Sequence, residues 1–350
     1  MWKKLLNRKY RFYLMSVALF VVILGLRWWA REFPLVFLRL YTNGINKWMI
    51  QGMSRFFGLL GFSVFEVLIL LLLITGTYLL WRYKWRGIVA CVGGLVFVYS
   101  AFMLMWGLNY ERPPVSLDFD LNIRDPQASD LQALYLKLID LANVTRGEVS
   151  ESEKGIFVAS STEDVSPGYD ILMSRYGVFG GDYGRYKEVA SSRIMSWARI
   201  AGIYGVFTGE PNVNSNIPDV ARLFTITHES AHQRGVAHED ETNFVAFMAC
   251  VLHPDVDYRY SGYFNALLYV REALIDEGEF MWVRWQDQFI DDGVVRDFNN
   301  LSKFWEERES WLSGVARSSS DVFMNFHQTS EYVRVVDFLV AYFDIAGNET

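Results

Sequence analysis

Three long apolar runs near the N-terminus constrain this chain more than any other feature of its sequence. They cover about 12–29, 59–81 and 87–110. Each is close to the roughly 20 residues that an α-helix needs to cross a bilayer. We therefore predict three transmembrane helices within a membrane domain over 1–110. The remaining residues, 111–350, are predicted to form a separate domain outside the bilayer.

Charge divides the chain at almost the same place. Residues 1–108 carry 13 Lys and Arg against two acids, a net charge of +11, whereas residues 109–350 carry 20 against 38, a net charge of −18. The whole chain has a net charge of −7, with 51% hydrophobic and 16% aromatic residues. This composition excludes a disordered or fibrous chain, and the acidic balance argues against a nucleic-acid partner.

Basic residues flank the apolar runs unevenly, and their distribution predicts how the membrane domain is oriented. The N-terminal tail and the link between the second and third runs are basic, with Lys3, Lys4, Arg8, Lys9 and Arg11 in the tail and Arg82, Lys84 and Arg86 in the link. Basic flanks of membrane helices stay in the cytoplasm. We therefore predict a multi-pass protein of the cell membrane with a cytoplasmic N-terminus, an extracytoplasmic C-terminal domain and the lipid bilayer as a partner.

Two details of the apolar runs refine this prediction. The first run is followed by Arg27, Trp28 and Trp29 rather than by a small-residue cleavage site, so we expect a retained helix instead of a signal peptide. Glu66 is an acid near the end of the second run. An acid at that position is expected to be solvated or paired at the membrane interface.

The pattern of the acidic part predicts helices and one short β-hairpin. Helical patterns occur over about 130–143, 186–198, 216–234, 239–252, 258–280, 295–316 and 319–345. Over 200–214, Gly, β-branched and aromatic residues alternate, which is typical of a strand with a turn at 209–211. Pro218 suits the first turn of the next helix, and Gly235 suits the position just after its end.

The strongest chemical signal is a cluster of histidines. Three of the five histidines of the chain, His228, His232 and His238, fall within eleven residues. His228 and His232 are four residues apart, so a helix places both imidazoles on one face, where they can bind one zinc ion. Glu229 completes the H-E-x-x-H pattern, in which zinc polarises a water molecule and the scissile carbonyl and the glutamate takes the proton of that water as general base.

A catalytic zinc site needs a third protein ligand and one open position, and three residues compete for that place. The spacing of His238 after the H-E-x-x-H pattern resembles the metzincin signature, in which a third histidine completes the site. Glu239 and Asn243 instead resemble the E-x-x-x-[DN] pattern of the gluzincins, where the Glu binds zinc and the Asp or Asn steadies a histidine. Glu241 is the third candidate.

These motifs, together with FTGEPNVN at 207–214 and YSGYF at 260–264, resemble a bacterial family described as domain of unknown function 3810. The resemblance covers most of the chain and implies N-terminal membrane spans followed by a zincin-like outer domain. Its pattern matches His228, Glu229 and His232, with Glu239 or Glu241 following. Because the family pattern does not require a histidine at position 238, it favours a gluzincin-like site with Glu239 as the third ligand.

The predicted fold class is therefore mainly α: three N-terminal transmembrane helices followed by a helix-rich α+β, zincin-like extracytoplasmic domain. The predicted function is that of a membrane-anchored zinc metallopeptidase acting on a peptide or protein substrate such as an envelope protein. Zn²⁺ is expected to be held by His228, His232 and Glu239, with Glu229 as general base. The alternative is a non-catalytic envelope protein, in which a fourth ligand closes the zinc site for a structural, sensing or partner-binding role.

A peptidase also needs a donor that stabilises the oxyanion of the transition state. The candidates in the sequence are Tyr260, Tyr263, Arg271 and His327. The segment GEPNVN at 209–214 is either an ordinary turn or a strand that lines the cleft, where the backbone of a substrate could add to it.

Overall fold

The computed structural model describes residues 8–160, 164–314 and 334–348. It is mainly helical, with 70% of its residues in helices and one three-stranded sheet in the described part of the chain. The predicted helical class is therefore confirmed.

The N-terminal part of the chain is helical throughout most of its length. Its elements are α1 (Arg8–Glu32), α2 (Pro34–Phe37), the π-helical segment Leu38–Asn46, α3 (Lys47–Gly58), α4 (Val64–Tyr83) and α5 (Trp85–Met105). Lys84 separates α4 from α5 because its φ of 50° is incompatible with a continuous helix. The two helices pack against each other as a pair.

Helices α4 and α5 are long and apolar enough to cross a membrane, by length and composition. They account for the predicted runs at 59–81 and 87–110. The helix ends at Met105 rather than at 110 because Trp106 adopts a φ of −156°. Two apolar helices of this length near the N-terminus are compatible with membrane association.

Two helices, not the predicted three, meet this criterion within the residues that the structure describes. The predicted run at 12–29 falls within α1, but the side chains of 8–13 and 16 lie outside the described residues. The last turns of α1 carry Arg27 and Arg31, so the apolar part of α1 is shorter than the helix itself.

A buried carboxylate ties α1 to the segment that follows α5. Glu111 ends a short 3₁₀ helix, Gly107–Glu111, and accepts hydrogen bonds from Arg27 Nε at 2.6 Å and Arg31 Nε at 2.7 Å. Burial acts to raise the pKa of Glu111, but the two guanidinium groups outweigh it and hold that pKa below its usual value. The end of α1 and the start of the acidic part of the chain are thus held together.

The acidic part of the chain folds into helices around the small sheet. Its elements are α6 (Ala128–Arg146), α7 (Ser166–Tyr176), β1 (Lys187–Glu188), α8 (Ser192–Trp197), β2 (Gly202–Gly205), β3 (Glu210–Val213), α9 (Asp219–Gln233), α10 (Glu239–Val251), α11 (Val256–Asp276), α12 (Phe280–Gln286), α13 (Asp292–Glu306) and α14 (Val335–Asn348). The prediction of a single helix over 186–198 is wrong. Residues 187–188 instead pair with β3, and this leaves room for only the six-residue helix α8.

Four of these helices build the main core. Helix α11 packs against α6, α9 and α10. The largest fully buried side chains of this core are aromatic, among them Tyr135, Tyr169, Phe244, Phe247 and Phe264. Helix α9 therefore has α11 on one side and the sheet on the other.

The sheet lies between α9 and the first turn of α4. Its central strand β3 is parallel to β1 and antiparallel to β2, with Ile203 opposite Asn212. Side chains alternate along a strand, so Gly202 and Tyr204 face α9 while Ile203 faces the side of α4. The ring of Tyr204 accordingly lies 6.5 Å from that of His232 on α9.

The membrane-side helices and the sheet share one apolar cluster. It contains Ile50, Trp106, Tyr110, Tyr204, Val206 and Ala237, all buried. Residues from both sides of the predicted boundary at 110 and 111 therefore pack together. The division into two domains at that point stays a prediction.

Asp297 offers a test of how the core depends on buried charge. It accepts hydrogen bonds of 2.7 Å each from Arg146 Nε, from the Phe157 backbone and from Tyr260 Oη. Asp297→Ala leaves Arg146 buried without its main counter-charge, so we expect a loss of about 3–5 kcal/mol in the free energy of unfolding. Chemical denaturation measures it. Asp125→Ala is the control because Asp125 is 95% exposed in its pair with Arg334, and an equal loss in both variants would contradict the prediction.

Candidate metal centre

Helix α9 presents two imidazoles on one face. His228 and His232 are one turn apart, and their ring centroids lie 4.8 Å apart at an interplanar angle of 86°. The helix ends directly after this pair because Arg234 leaves helical geometry and Gly235 takes a φ of +86°. Glycine tolerates that left-handed conformation, so the chain can turn back toward the histidines.

The turn after α9 places Glu239, the first residue of α10, next to both histidines. Its Oε2 lies 3.1 Å from His228 Nε2, and its Oε1 lies 3.6 Å from His232 Nε2. One ligand atom from each of the three side chains can be chosen so that all lie within 4.8 Å of one another. The three groups therefore converge on one point with two nitrogens and one oxygen, a donor set that suits zinc.

The opposite nitrogen of each ring already has a partner. His228 Nδ1 lies 2.8 Å from Asn243 Oδ1, and His232 Nδ1 lies 2.8 Å from the Val236 carbonyl oxygen. Both acceptors favour a proton on Nδ1, and Nε2 of each ring is the nitrogen that faces Glu239. This hydrogen-bonding pattern orients both Nε2 atoms for a metal ion, and it fits the predicted role of Asn243.

Glu229, the predicted general base, lies beside this cluster. Its side chain is 5% exposed and lines the same cleft as the two histidines. Burial raises its pKa above the usual value of a glutamate, although His228 and His232 act in the opposite direction. A carboxylate with a raised pKa is a better proton acceptor for catalysis near neutral pH.

Glu239 and the histidines beside it influence each other electrostatically, and the effect is seen in the pKa values of His232 and Glu239. Burial alone would lower the pKa of His232, but the Glu239 carboxylate raises it to about 9. Burial likewise opposes the charge of Glu239, yet His232 and His228 hold the pKa of this carboxyl well below its usual range. A negative oxygen and two imidazoles so placed form a ready site for a cation, which would take the place of the shared protons.

The cluster opens into a cleft of about 980 Å³. Residues 198–204, which include strand β2, form one side of it, and side chains of α11 and α13 form another. Strand β2 is an edge strand that pairs with β3, and its residues 202–204 line the cleft. An extended chain in the cleft could therefore run beside β2.

The other two candidates for the third ligand, His238 and Glu241, contact groups outside the cluster. His238 Nε2 lies 3.1 Å from the Tyr110 carbonyl oxygen, and its ring stacks edge-on against Tyr110. Glu241 accepts a hydrogen bond of 3.0 Å from the Val115 backbone inside the core. Of the three candidates, the structure brings Glu239 to the histidines.

Of the predicted oxyanion donors, the three that lie in the described part of the chain do not line the cleft. Tyr260 donates to Asp297, Arg271 pairs with Asp287 at 2.9 Å, and Tyr263 packs edge-on against Phe247. His327 lies outside the described residues. The α11 residues that do line the cleft are Asn265 and Tyr269. Their spacing of four residues on one predicted helix was the signal that could have found them.

Trp106, which follows α5, is a site residue that the sequence did not suggest. Its indole Nε1 donates a hydrogen bond of 2.9 Å to the His232 carbonyl oxygen, and its ring lies edge-on to the His232 ring. It also lines the cleft. The end of an apolar helix thus supports the second histidine directly.

Fold and site define a mainly helical protein with apolar N-terminal helices and a His–His–Glu cluster in an open cleft. The model of the family described as "Protein of unknown function (DUF3810)" matches residues 41–340. The chain belongs to that family. No curated protein and no solved structure is similar enough to count as a match.

Proposed function

We propose that this protein is a membrane-anchored zinc metallopeptidase of the gluzincin type, with its catalytic domain on the extracytoplasmic side of the cell membrane. His228, His232 and Glu239 would hold the zinc ion, and Glu229 would act as general base. The observation that carries the proposal is the convergence of three donor groups beside a buried glutamate in an open cleft. Bound zinc supplies Lewis acidity, which polarises a carbonyl group and acidifies water.

The residues of the chain supply the other parts of the reaction. Glu229 takes the proton of the attacking water and later gives it to the leaving amine of the peptide bond. Its burial and raised pKa suit both transfers. Strand β2 would hold the substrate backbone, because an extended peptide adds to an exposed strand edge through main-chain hydrogen bonds.

The membrane location is proposed from the helix ends. The C-terminal end of α1, the N-terminal end of α4 and the C-terminal end of α5 all contact the acidic part of the chain. If α1 also spans, these three ends lie on one side of the bilayer. The basic tail and the basic link at 82–86 then lie on the other side, which is the cytoplasmic one.

Metal analysis of the full chain in detergent tests the proposal. We expect one zinc ion per chain and hydrolysis of a quenched fluorescent peptide library. A chelator should remove both properties, and added zinc should restore both. A purified chain that takes up no zinc would contradict the proposal.

The coordination number separates a peptidase from a structural zinc protein. Three protein ligands and one water molecule, as X-ray absorption would count them, support the peptidase. Four protein ligands without hydrolysis would support the structural or sensing alternative. In the described residues the cluster contains three such groups, His228, His232 and Glu239.

Asn243→Ala tests the support of the first histidine. Loss of the Asn243 oxygen leaves His228 Nδ1 without its partner, so we expect zinc affinity to fall about 10- to 100-fold. Competition with a fluorescent zinc chelator measures it. Asn265→Ala is the matched control, because Asn265 also lines the cleft but bonds to the carbonyl oxygens of Val220 and Ser261. Equal affinity in the two variants would count against the site.

A further inference from the structure

The sheet beside the cleft packs directly against the first turn of α4. Ser63 Oγ donates to Asn212 Oδ1 at 2.6 Å, and the Phe65 backbone donates to Glu210 Oε2 at 3.0 Å. Both acceptors belong to strand β3. One sheet layer therefore separates the start of an apolar, membrane-length helix from α9 and its histidines.

Glu66 fixes a second element to the same turn of α4. Its carboxylate accepts hydrogen bonds from the backbones of Ala190 at 2.8 Å and Ser191 at 2.9 Å. Helix α8 begins at the next residue. The side of the cleft formed by 198–204 follows α8 and so starts next to the membrane helix.

Four exposed apolar side chains, here called the apolar rim, lie on α8, on β2 and in the segment just before Ser313, which lines the cleft. They are Ile194, 65% exposed; Trp197, 46%; Ile203, 41%; and Trp311, 76%. Ser310 Oγ donates to the Trp197 carbonyl oxygen at 2.7 Å, which joins the segment with Trp311 to the end of α8. Ile203 faces the side of α4, because an added Cβ at Gly205 on the same strand face would lie 3.0 Å from Phe65.

This apolar rim matches the chemistry of a bilayer interface. Contiguous exposed apolar residues mark an interaction surface, and Trp is enriched where a membrane meets water. Glu66 joins the start of α8, which carries Ile194 and Trp197, to the first turn of α4. The apolar side chains of α4 are themselves exposed along its length, among them Leu70, Leu71 and Leu73. The occupant that fits this arrangement is the lipid surface itself.

We propose that the apolar rim lies in the interfacial layer of the bilayer and that the cleft acts on polypeptide segments next to a membrane anchor. This inference rests on the proposed peptidase function and names its substrate class. A chain that emerges from the bilayer beside α4 passes the rim and reaches β2 in an extended conformation. A cleavage site far from the bilayer surface cannot reach it if the linking segment is rigid.

The first experiment measures lipid contact without any enzymatic readout. A fluorescent probe is placed at Ile194→Cys in a Cys91→Ser chain within nanodiscs of phosphatidylethanolamine and phosphatidylglycerol. Burial raises the pKa of the Cys250 thiol to about 12, so Cys250 stays unlabelled. The matched control is Val144→Cys, 56% exposed on α6. Helices α11 and α9 and the sheet separate α6 from α4.

At position 194 we expect blue-shifted emission and strong quenching by lipids that carry a spin label near the headgroup. At position 144 we expect neither. Equal, water-like signals at both positions would overturn the proposal. A blue shift at 194 without lipid quenching would mean that a protein, a second copy or a partner, covers the rim, and would overturn it as well.

The second experiment compares three substrates of one cleavable sequence with the zinc-loaded chain in liposomes. In the first, the sequence follows a transmembrane anchor after about five residues, or ~17 Å. In the second, a rigid helical spacer of about 40 residues, or ~60 Å, separates the two. The third is a soluble peptide without an anchor.

We expect the short-spacer substrate to be cut at least about tenfold faster than the other two, because its cleavage sequence is held at the level of the cleft. Faster cleavage of the long-spacer or soluble substrate would overturn the inference and leave the peptidase proposal standing. Failure to cut any of the three with zinc bound would overturn the peptidase proposal and this substrate class with it, while the lipid-contact result would remain a separate finding.

Discussion

Replacement of Glu229 by Gln is expected to abolish peptide hydrolysis while zinc binding is retained. Gln has nearly the same shape but cannot take a proton from the attacking water. General base catalysis contributes about 10²–10⁴-fold, so we expect kcat to fall about 10³-fold. The three groups that converge on the metal site do not include Glu229. Hydrolysis and zinc content are therefore measured on the same preparation.

His232→Ala is the comparison variant for this experiment. It removes one of the two nitrogens at the site, so both zinc content and hydrolysis should be lost. The contrast between the two variants separates the chemical role of Glu229 from metal binding. A Glu229→Gln chain that holds zinc and cleaves peptides at the wild-type rate would remove Glu229 from the mechanism.

The local part of the site could be predicted because it depends on spacing within one or two helices. A separation of four residues brings His228 and His232 together on any α-helix. Gly235 ends that helix with the predicted left-handed turn, and α10 begins at Glu239, close to the predicted start. Whether Glu239 or His238 lies beside the two histidines could be decided only from the structure. It depends on the direction in which each side chain points after the turn at Gly235.

The long-range part of the site could not be predicted in this way. Trp106 and Tyr110 precede the histidine motif by more than a hundred residues, yet they hold the His232 carbonyl oxygen and His238. Their positions follow from long-range packing, in which the ring of Trp106 lies 5.5 Å from that of Tyr204 on strand β2. Apolar patterning carries no information on contacts of that range, so both residues were placed only in the third apolar run at 87–110.

The strand errors have a similar origin. Lys187 and Glu188 carry no strand pattern of their own and become β1 because β3 offers them a parallel edge. The hairpin was predicted, but its turn lies before Glu210, which already belongs to β3. A two-residue strand and a two-residue shift in the end of the hairpin turn are decided by tertiary contacts that outweigh local preference.

Two of the candidate oxyanion donors, Tyr260 and Arg271, do not line the cleft because of contacts that the sequence does not show. Tyr260 and Arg271 are polar residues on the helix α11 that also faces the cleft, but each is satisfied by a carboxylate elsewhere, Asp297 and Asp287. Tyr269 instead lines the cleft, and burial together with the nearby Glu239 raises the pKa of its phenol. A phenol that stays protonated is a suitable hydrogen-bond donor.

Gly202 tests how closely strand β2 packs against Glu229, the proposed general base. A Cβ added at Gly202 would lie 2.5 Å from Glu229 Oε1 and 2.7 Å from both Glu229 Cγ and Thr225 Cγ2. No side chain fits there without a shift of the strand or of Glu229. A displacement of about 1 Å at a reacting group costs about 10²-fold in rate.

Gly202→Ala is therefore expected to lower kcat about 100-fold with one zinc ion still bound, since the three atoms nearest the added methyl group belong to Glu229 and Thr225 and not to the proposed metal ligands. The control is Gly61→Ala, where an added Cβ meets nothing within 4 Å. Thr225→Ser combined with Gly202→Ala removes only the Thr225 methyl contact, so activity should stay low if Glu229 is the group displaced. Full recovery in that double variant would show that strain against α9, and not the position of Glu229, limits the reaction.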